Sequence, residues 1–290
     1  MNLKKVIYPK LGSIKPILDE LFVPIYKIRK VPFSLGYNTS KWQKIKQDIS
    51  NKKIIESFSQ RNIPLNFGIG FDERIVEYPW LFSEMPANVK TVLDAGSTFN
   101  FKPIVEHSYF RDKNLNIFTF YPEPVNFPSE SVSYEYGDIR SMPYNNSKFD
   151  VVVSHSTVEH IDMDNSIYGY EISHNTDQKK SFEYLKAIKE LKRVLKSNGT
   201  LLITFPYGKF KNYGFFQQFD KEMVSQIEKE LQPFGKIEFS FLKYTGRGWQ
   251  FDAQTNCDNS TSHNPHTGED KGTDGAAHCR CVCCIRFIKN

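Results

Sequence analysis

The stretch Thr91-Val92-Leu93-Asp94-Ala95-Gly96-Ser97-Thr98-Phe99-Asn100 is the one from which the rest of the chain can be ordered. Val92 and Leu93 read as the end of a buried β-strand. Asp94 and Gly96 then open a tight turn into a helix. Glycine at such a turn lets backbone approach a ligand, because no Cβ stands in the way. A carboxylate at a strand tip can accept hydrogen bonds from ligand hydroxyl or ammonium groups.

Downstream, strands alternate with helical stretches. Strands are expected over Lys90–Asp94, Asn116–Phe120, Val132–Tyr136, Phe149–Ser154 and Thr200–Phe205, with two more over Lys236–Tyr244 and Cys279–Ile288. The Val151-Val152-Val153 run suits a strand buried on both faces. Lys179–Leu195 reads as a helix with one apolar stripe, closed by Asn198-Gly199. Asp220–Leu231 reads as a second helix, capped by Asp220. Short βα connections of this kind call for a doubly wound sheet with right-handed crossovers. No helical pattern separates the last two strands, so they are expected to pair antiparallel at one edge. Ligands of such folds bind beyond the carboxyl ends of the strands, where the strand order reverses.

Four segments fall at those strand ends. They are Leu93–Gly96, Tyr136–Arg140, Phe149–Ile161 and Glu190–Pro206. In this order and spacing they resemble the class I S-adenosylmethionine-dependent methyltransferases, in particular the type 11 methyltransferase-domain group, over residues 89–206. Glu77-Tyr-Pro-Trp80 and the ending from Ala276 to Lys289 resemble a bacterial subgroup associated with surface polysaccharides. The resemblance implies a Rossmann-like α/β fold: a doubly wound seven-stranded sheet with an antiparallel last strand. Residues 1–75 are expected to add an N-terminal helical lid, leaving 76–290 as the methyltransferase domain.

The resemblance also implies the cofactor, S-adenosyl-L-methionine, and its contacts. Asp94, Gly96 and Ser97 would lie under its methionine portion. Asp138 would meet the adenine amino group, with Ile139 packed on the ring. Ser154 and His155 would stand near the methionine moiety. The family places a ribose-binding acid at the tip of the second strand. Here Tyr121 occupies that place, with Glu123 two residues on, and either could serve. Thr98 and Asn100 stand where the family carries further glycines.

Methyl transfer needs nucleophile and methyl group held in line. A hydroxyl acceptor also needs a base for its proton. His160 and His155 follow the fourth strand and are the expected catalytic residues. His160 could equally be a structural residue at a helix start. Glu159 precedes it, but adjacent helical residues do not face each other, so no dyad is expected. Tyr168, Tyr170 and His174 lie in a polar stretch expected on the acceptor side.

Composition sets the outer limits. The chain has 290 residues, 39% hydrophobic and 24% charged, as in ordinary globular proteins. No apolar run approaches the roughly 20 residues of a membrane helix, and no signal core opens the chain, so a cytoplasmic protein is expected. Residues 1–75 carry 14 Lys and Arg against 6 Asp and Glu, a net +8 that leaves −3 of the overall +5 for the rest. That is too modest to point to nucleic acid. The expected partner is a small-molecule acceptor, possibly sugar-containing or nucleotide-linked, and O-methylation leads. N- or protein methylation, or a non-catalytic binding module, is the alternative. The number of copies in the assembly is not set by the sequence. Gly68-Ile-Gly70 reads as a hinge, and Asp252–Gly275 as a mobile loop. Cys257, His263, His266, His278 and Cys279 could be assembled into a metal set, but they lack paired Cys-x-x-Cys spacing. Cys279, Cys281 and Cys283 are expected to share one face of a buried strand, and no metal is expected.

Overall fold

The computed structural model describes residues 16–169, 174 and 177–290. Its centre is an eight-stranded sheet. The strands are β1 (Thr91–Ala95), β2 (Asn114–Thr119), β3 (Val132–Tyr136), β4 (Phe149–His155), β5 (Leu195–Pro206), β8 (Gly235–Thr245), β9 (Gly248–Asp252) and β10 (Cys281–Lys289). A separate ribbon pairs β6 (Lys211–Asn212) with β7 (Gln217–Gln218). The order across the sheet is β3-β2-β1-β4-β5-β10-β8-β9. β1 to β5 run parallel, and β10 runs antiparallel to both of its neighbours. The order reverses between β1 and β4, which puts a crevice at their carboxyl ends.

All seven expected strands are present, and the sheet gains one. β9 lies in the segment expected to be a plain loop, and forms the edge beside β8. The antiparallel strand is therefore internal: β10 is hydrogen-bonded on both sides, by β5 and β8. The segment beyond β9 carries ion pairs. Lys211 reaches Glu269 at 2.7 Å and Asp270 at 2.5 Å, and Arg280 holds Asp274 at 2.6 Å.

Among the described residues the α-helices include α1 (Val23–Arg29), α2 (Tyr37–Ser50), α3 (Lys52–Ser59), α4 (Arg74–Glu84), α5 (Lys102–Val105), α6 (Tyr184–Val194), α7 (Lys221–Leu231) and the short α8 (Gln254–Cys257). None of those described is long and apolar enough to cross a membrane. α6 begins later than the apolar periodicity predicts. It also passes directly into β5 at Leu195, so Asn198-Gly199 is not its cap. Those two residues instead lie where the β4–β5 register slips, between the pairs Phe149–Leu195 and Val151–Thr200, with Asn198 at φ 61°. Asp220 does cap α7, accepting from the Met223 N–H at 3.1 Å.

The period-2 alternation of the strands divides the core. Leu93, Val152, Leu201, Ile203, Cys281 and Cys283 pack on one face with α6 and α7. Val92, Val151, Val153, Leu202, Val282 and Cys284 pack on the other, with α4 and Ile45, Ile49 and Phe58 of α2 and α3. Cys279 joins this second group, not the first, because the chain bends between Ala277 and Arg280 before β10 begins. Apart from Glu77, the middle of α4 is apolar all round, with Ile75, Val76, Tyr78, Trp80, Leu81 and Phe82 buried, as befits a helix sandwiched between a sheet and other helices. The boundary expected at residue 75 falls inside it. Gly68 and Gly70 sit at positive φ in close packing. An added Cβ would come within 2.6 Å of Ile75 and of the Lys30 carbonyl oxygen, so these are close-approach glycines rather than a hinge.

The N-terminal helices and the sheet share one core. Phe58 is fully buried, edge-on to both Phe67 and Phe251. Phe58→Ala should therefore cost about 3–5 kcal/mol. Urea denaturation should show one transition with its midpoint lowered. A separate early transition of the N-terminal helices, with the sheet unaffected, would contradict a shared core.

Candidate active site

The crevice at the strand ends holds a cavity of about 280 Å³. That is near the lower edge of the roughly 300–1,000 Å³ usual for small-molecule sites. Register brings its components level: Asp94 of β1 pairs with Ile117 of β2 and Val153 of β4, and His155 of β4 pairs with Thr204 of β5. The lining comes from the turns after β1, β2, β3 and β4, with Arg74 from the start of α4. No described residue before Arg74 lines it, so the N-terminal helices back the sheet and do not lid this cavity.

Of the residues expected at the site, Gly96, Asp138, Ile139 and His160 reach the cavity. Asp94, Ser97, Tyr121, Ser154 and His155 are not part of its lining. Asp94 is buried and accepts from the Phe99 N–H at 2.6 Å, the Thr98 hydroxyl at 3.1 Å and the Thr98 N–H at 3.3 Å. It thus winds the turn that presents Gly96. Burial pushes its carboxyl up to about 7 in spite of those bonds. Gly96 is at φ 134°, and its N–H donates to the Phe118 carbonyl at 2.9 Å. A Cβ there would lie 2.0 Å from the Thr157 hydroxyl, so no larger residue fits. Ser97 is buried beside it at φ 59°.

At the second strand end the two candidate residues are placed differently. Tyr121 is 47% exposed, whereas Glu123 lines the cavity. Asn100 donates to Glu123 at 2.7 Å and to the Val125 carbonyl at 2.8 Å, while accepting from the Tyr134 hydroxyl at 2.8 Å. Asn100, which departs from the family's glycine-rich turn, is thus the residue that places Glu123. At the third strand end, Arg140 grips Asp138 through Nε at 3.0 Å and Nη2 at 2.6 Å. Burial opposes ionisation there, but these bonds hold the Asp138 carboxyl below the usual carboxylate range. Ile139 and Phe118 supply apolar wall beside it.

The two histidines part company. In β4, Val151, Val153 and His155 face α4, while Val152 and Ser154 face the other way. His155 is fully buried, edge-on to Tyr78, with Nε2 2.9 Å from Glu77. His160 lies on the cavity wall, packed against Phe215 and Tyr168. Its Nδ1 is 2.6 Å from the Phe215 carbonyl oxygen. A carbonyl can only accept, so Nδ1 carries the proton and Nε2 keeps its lone pair. Burial pulls its pKa down to about 4. Glu159 comes to 3.9 Å from Nε2, beyond hydrogen-bond reach, and burial keeps its carboxyl protonated well above the ordinary range. Tyr168 lines the cavity, whereas Tyr170 is outside the described residues, and His174 is not in the lining.

Sequence reading missed Arg74 and Glu77. Glu77 is wholly buried, yet its oxygens meet His155, Arg74 at 3.2 Å, the Ser156 hydroxyl at 2.6 Å and the Thr204 hydroxyl at 2.7 Å. The signal available was an acidic residue inside an otherwise apolar helix, in the run Glu77-Tyr-Pro-Trp80.

A doubly wound sheet with a ligand-sized cavity at its switch point, walled by Ile139, Phe118 and acidic strand tips, is a nucleotide-cofactor architecture. Residues 119–203 match the methyltransferase-domain family. The matched span holds Glu123, Asp138, Ile139 and His160 but not the turn at Gly96. No curated relative matches the chain. Among solved structures, a methyltransferase from Methanosarcina mazei is 10% identical (TM-score 0.43), covering 73% of this chain and 98% of its own. A Listeria monocytogenes protein described as an S-adenosylmethionine-dependent methyltransferase is 13% identical (TM-score 0.45; 74% and 97%). The 1,6-didemethyltoxoflavin-N1-methyltransferase of Burkholderia thailandensis, solved with its substrate and S-adenosylhomocysteine, is 12% identical (TM-score 0.38; 69% and 71%). These likenesses carry nothing about reaction or substrate.

Burial gives His160 a pH signature. An unfolded histidine charges below about 6.5, but this ring does so only near 4. Between those values the unfolded chain binds the proton and the folded one does not. His160 therefore lowers stability as pH falls through that window. NMR titration should show the ring neutral at pH 5.5, and His160→Gln should flatten the loss of stability between pH 7 and 5. Titration near 6.5 would contradict the buried setting. For the carboxylate, Glu77→Ala leaves Arg74 and His155 without their partner and should cost about 3–5 kcal/mol in thermal or urea unfolding.

Proposed function

We propose that this protein is an S-adenosylmethionine-dependent methyltransferase that transfers the methyl group to a hydroxyl of a small acceptor. The observation that carries the reading is His160: an imidazole on the cavity wall, its Nδ1–H fixed by Phe215 and its Nε2 lone pair left for a proton. An activated hydroxyl acceptor is what such a base serves. The residues of the cavity suit the cofactor. Ile139 and Phe118 offer a slot for a flat purine, Asp138 a polar contact at its edge, and Glu123 an acceptor for ribose hydroxyls. Glu123, Asp138 and Asp162 exceed Arg74 and Arg140 in the lining by one charge, a mild acidic balance that favours a cation. Asp94, Ser97 and Gly96 shape the turn on the methionine side, and Ser154 and His155 form the packed floor beneath it. Bound there, S-adenosylmethionine supplies a methyl group already activated by its positive sulfur.

Tyr168, Asn165, Asp162 and Met163 border the acceptor end of the cavity. An aromatic face with flanking hydrogen-bonding groups suits a sugar-containing acceptor, consistent with a role in surface polysaccharide synthesis. Arg74, on the same wall, would tolerate a phosphorylated one. The low pKa of His160 keeps it neutral, and so able to accept a proton, through the physiological range.

Calorimetry with S-adenosylhomocysteine should show saturable binding. Thermal stability should rise by about 2.7 kcal/mol at a hundredfold excess over the dissociation constant. Asp138→Ala and Glu123→Ala should each weaken that binding. His160→Ala should leave it intact and cut turnover about 10²–10⁴-fold. Turnover unchanged in His160→Ala would remove this histidine from the reaction, and absence of binding to the parent protein would sink the reading.

A further inference from the structure

A second cluster of chemistry-bearing side chains lies beside the cavity, behind the Phe215-Phe216 pair. Glu73, His278 and Cys279 place one ligand atom each within 4.8 Å of one another. They come together from opposite ends of the chain: Glu73 leads into α4, and the other two form the bend before β10. Glu73 and Cys279 are buried, and the His278 side chain is 12% exposed. His278 Nδ1 is 2.9 Å from a Glu73 oxygen. His263 approaches as well: it is 2% exposed, its ring centroid lies 6.3 Å from that of His278, and its backbone N–H donates to the His278 carbonyl.

Polar groups are left over at this spot. Glu73 Oε2, His278 Nε2 and His263 Nδ1 are buried atoms without a hydrogen-bond partner among the described residues. A buried polar group of this kind is destabilising if nothing satisfies it. Three of them in one place, beside a buried thiol, form a ready-made set of carboxylate, imidazole and sulfur donors. Borderline divalent cations, zinc above all, favour that mixture in four-coordinate geometry. The Phe216 ring covers the cluster, 4.9 Å from His278, which would exclude water from a bound ion.

We propose that Glu73, His278 and Cys279, with His263 as the fourth donor, bind a zinc-class divalent cation that clamps the start of α4 to the bend before β10. In a four-coordinate site with bonds of about 2.0–2.3 Å, donors stand about 3.3–3.8 Å apart. Glu73, His278 and Cys279 therefore close by about 1 Å on binding, and His263, which lies outside that group, turns in by more to complete the set. The metal–sulfur bond replaces the thiol S–H bond of Cys279, and the proton leaves to solvent, so affinity rises with pH. The site serves the fold and not the chemistry at His160, from which Phe215 and Phe216 separate it. The sequence reading named His263, His278 and Cys279 among possible donors but not Glu73. Glu73 lies 205 residues from His278, and no Cys-x-x-Cys spacing marks the set.

The test is metal binding by the purified full-length chain. Elemental analysis should find about one zinc per chain. After chelation, Co²⁺ titration should saturate at about one equivalent, with a sulfur-to-cobalt absorption band in the near ultraviolet. Cys279→Ser should abolish the band and His278→Ala should weaken binding at least tenfold, whereas Cys283→Ser, whose thiol packs on the opposite face of the sheet, should leave both unchanged. Zn²⁺ should raise the melting temperature of the chelated parent protein, a readout that stands even if a variant fails to fold. Failure of the parent to bind Zn²⁺ or Co²⁺ saturably at micromolar concentration would overturn the proposal. So would a band that survives Cys279→Ser.

Discussion

The arrangement of the site depends on one buried carboxylate. Glu77 sits in the middle of an apolar helix with no access to solvent, where an unpaired charge would be prohibitive. It is held ionised by what surrounds it: burial opposes the charge, while His155 and Arg74 favour it. The Ser156 and Thr204 hydroxyls complete its hydrogen bonding. Three segments distant in sequence are thereby tied at one point: α4, the end of β4 with the turn beyond it, and the end of β5. Because removing one member of such a set strands the others in low dielectric, the set holds its geometry as a unit.

That knot sorts the residues at the strand ends. His155 belongs to it and is committed to the interior. Thr157, two residues on, packs against Gly96 and bonds the His155 carbonyl at 3.0 Å. His160 is then delivered to the cavity wall, where a backbone carbonyl fixes its tautomer. Arg74 bridges the two regions, bonded to Glu77 while lining the cavity. On the other side of the crevice, Asp94 acts in the same manner on a smaller scale. Its carboxylate is spent on the turn of Thr98 and Phe99, and the outcome is the position of Gly96.

Much of this could be read from residue order. The strand pattern, the reversal of strand order after β1 and the cap at Asp220 follow from local rules that tertiary contacts did not override. Asp138, Ile139, Gly96 and His160 were expected at strand ends and do line the cavity. What could not be read was orientation and partnership. Whether the last residue of β4 faces the cavity depends on which face α4 covers, and His155, on the α4 side, lies outside the lining. Glu123 takes the cavity position rather than Tyr121 because Asn100 pulls it there, a contact across 23 residues. The register slip at Asn198-Gly199 mimics a helix cap, since both use a residue at positive φ. β9 was missed because its pairing with β8, not its own pattern, makes it a strand.

A crystal structure of the protein with S-adenosylhomocysteine bound would test the account most directly. The purine should lie against Ile139 and beside Asp138, with the ribose next to Glu123, His160 facing the sulfur across the acceptor space, and the Glu77–His155 contact unbroken. A ligand bound elsewhere, or a His155 ring swung out of its bond to Glu77 to meet it, would contradict the division of labour between the two histidines on which the account rests.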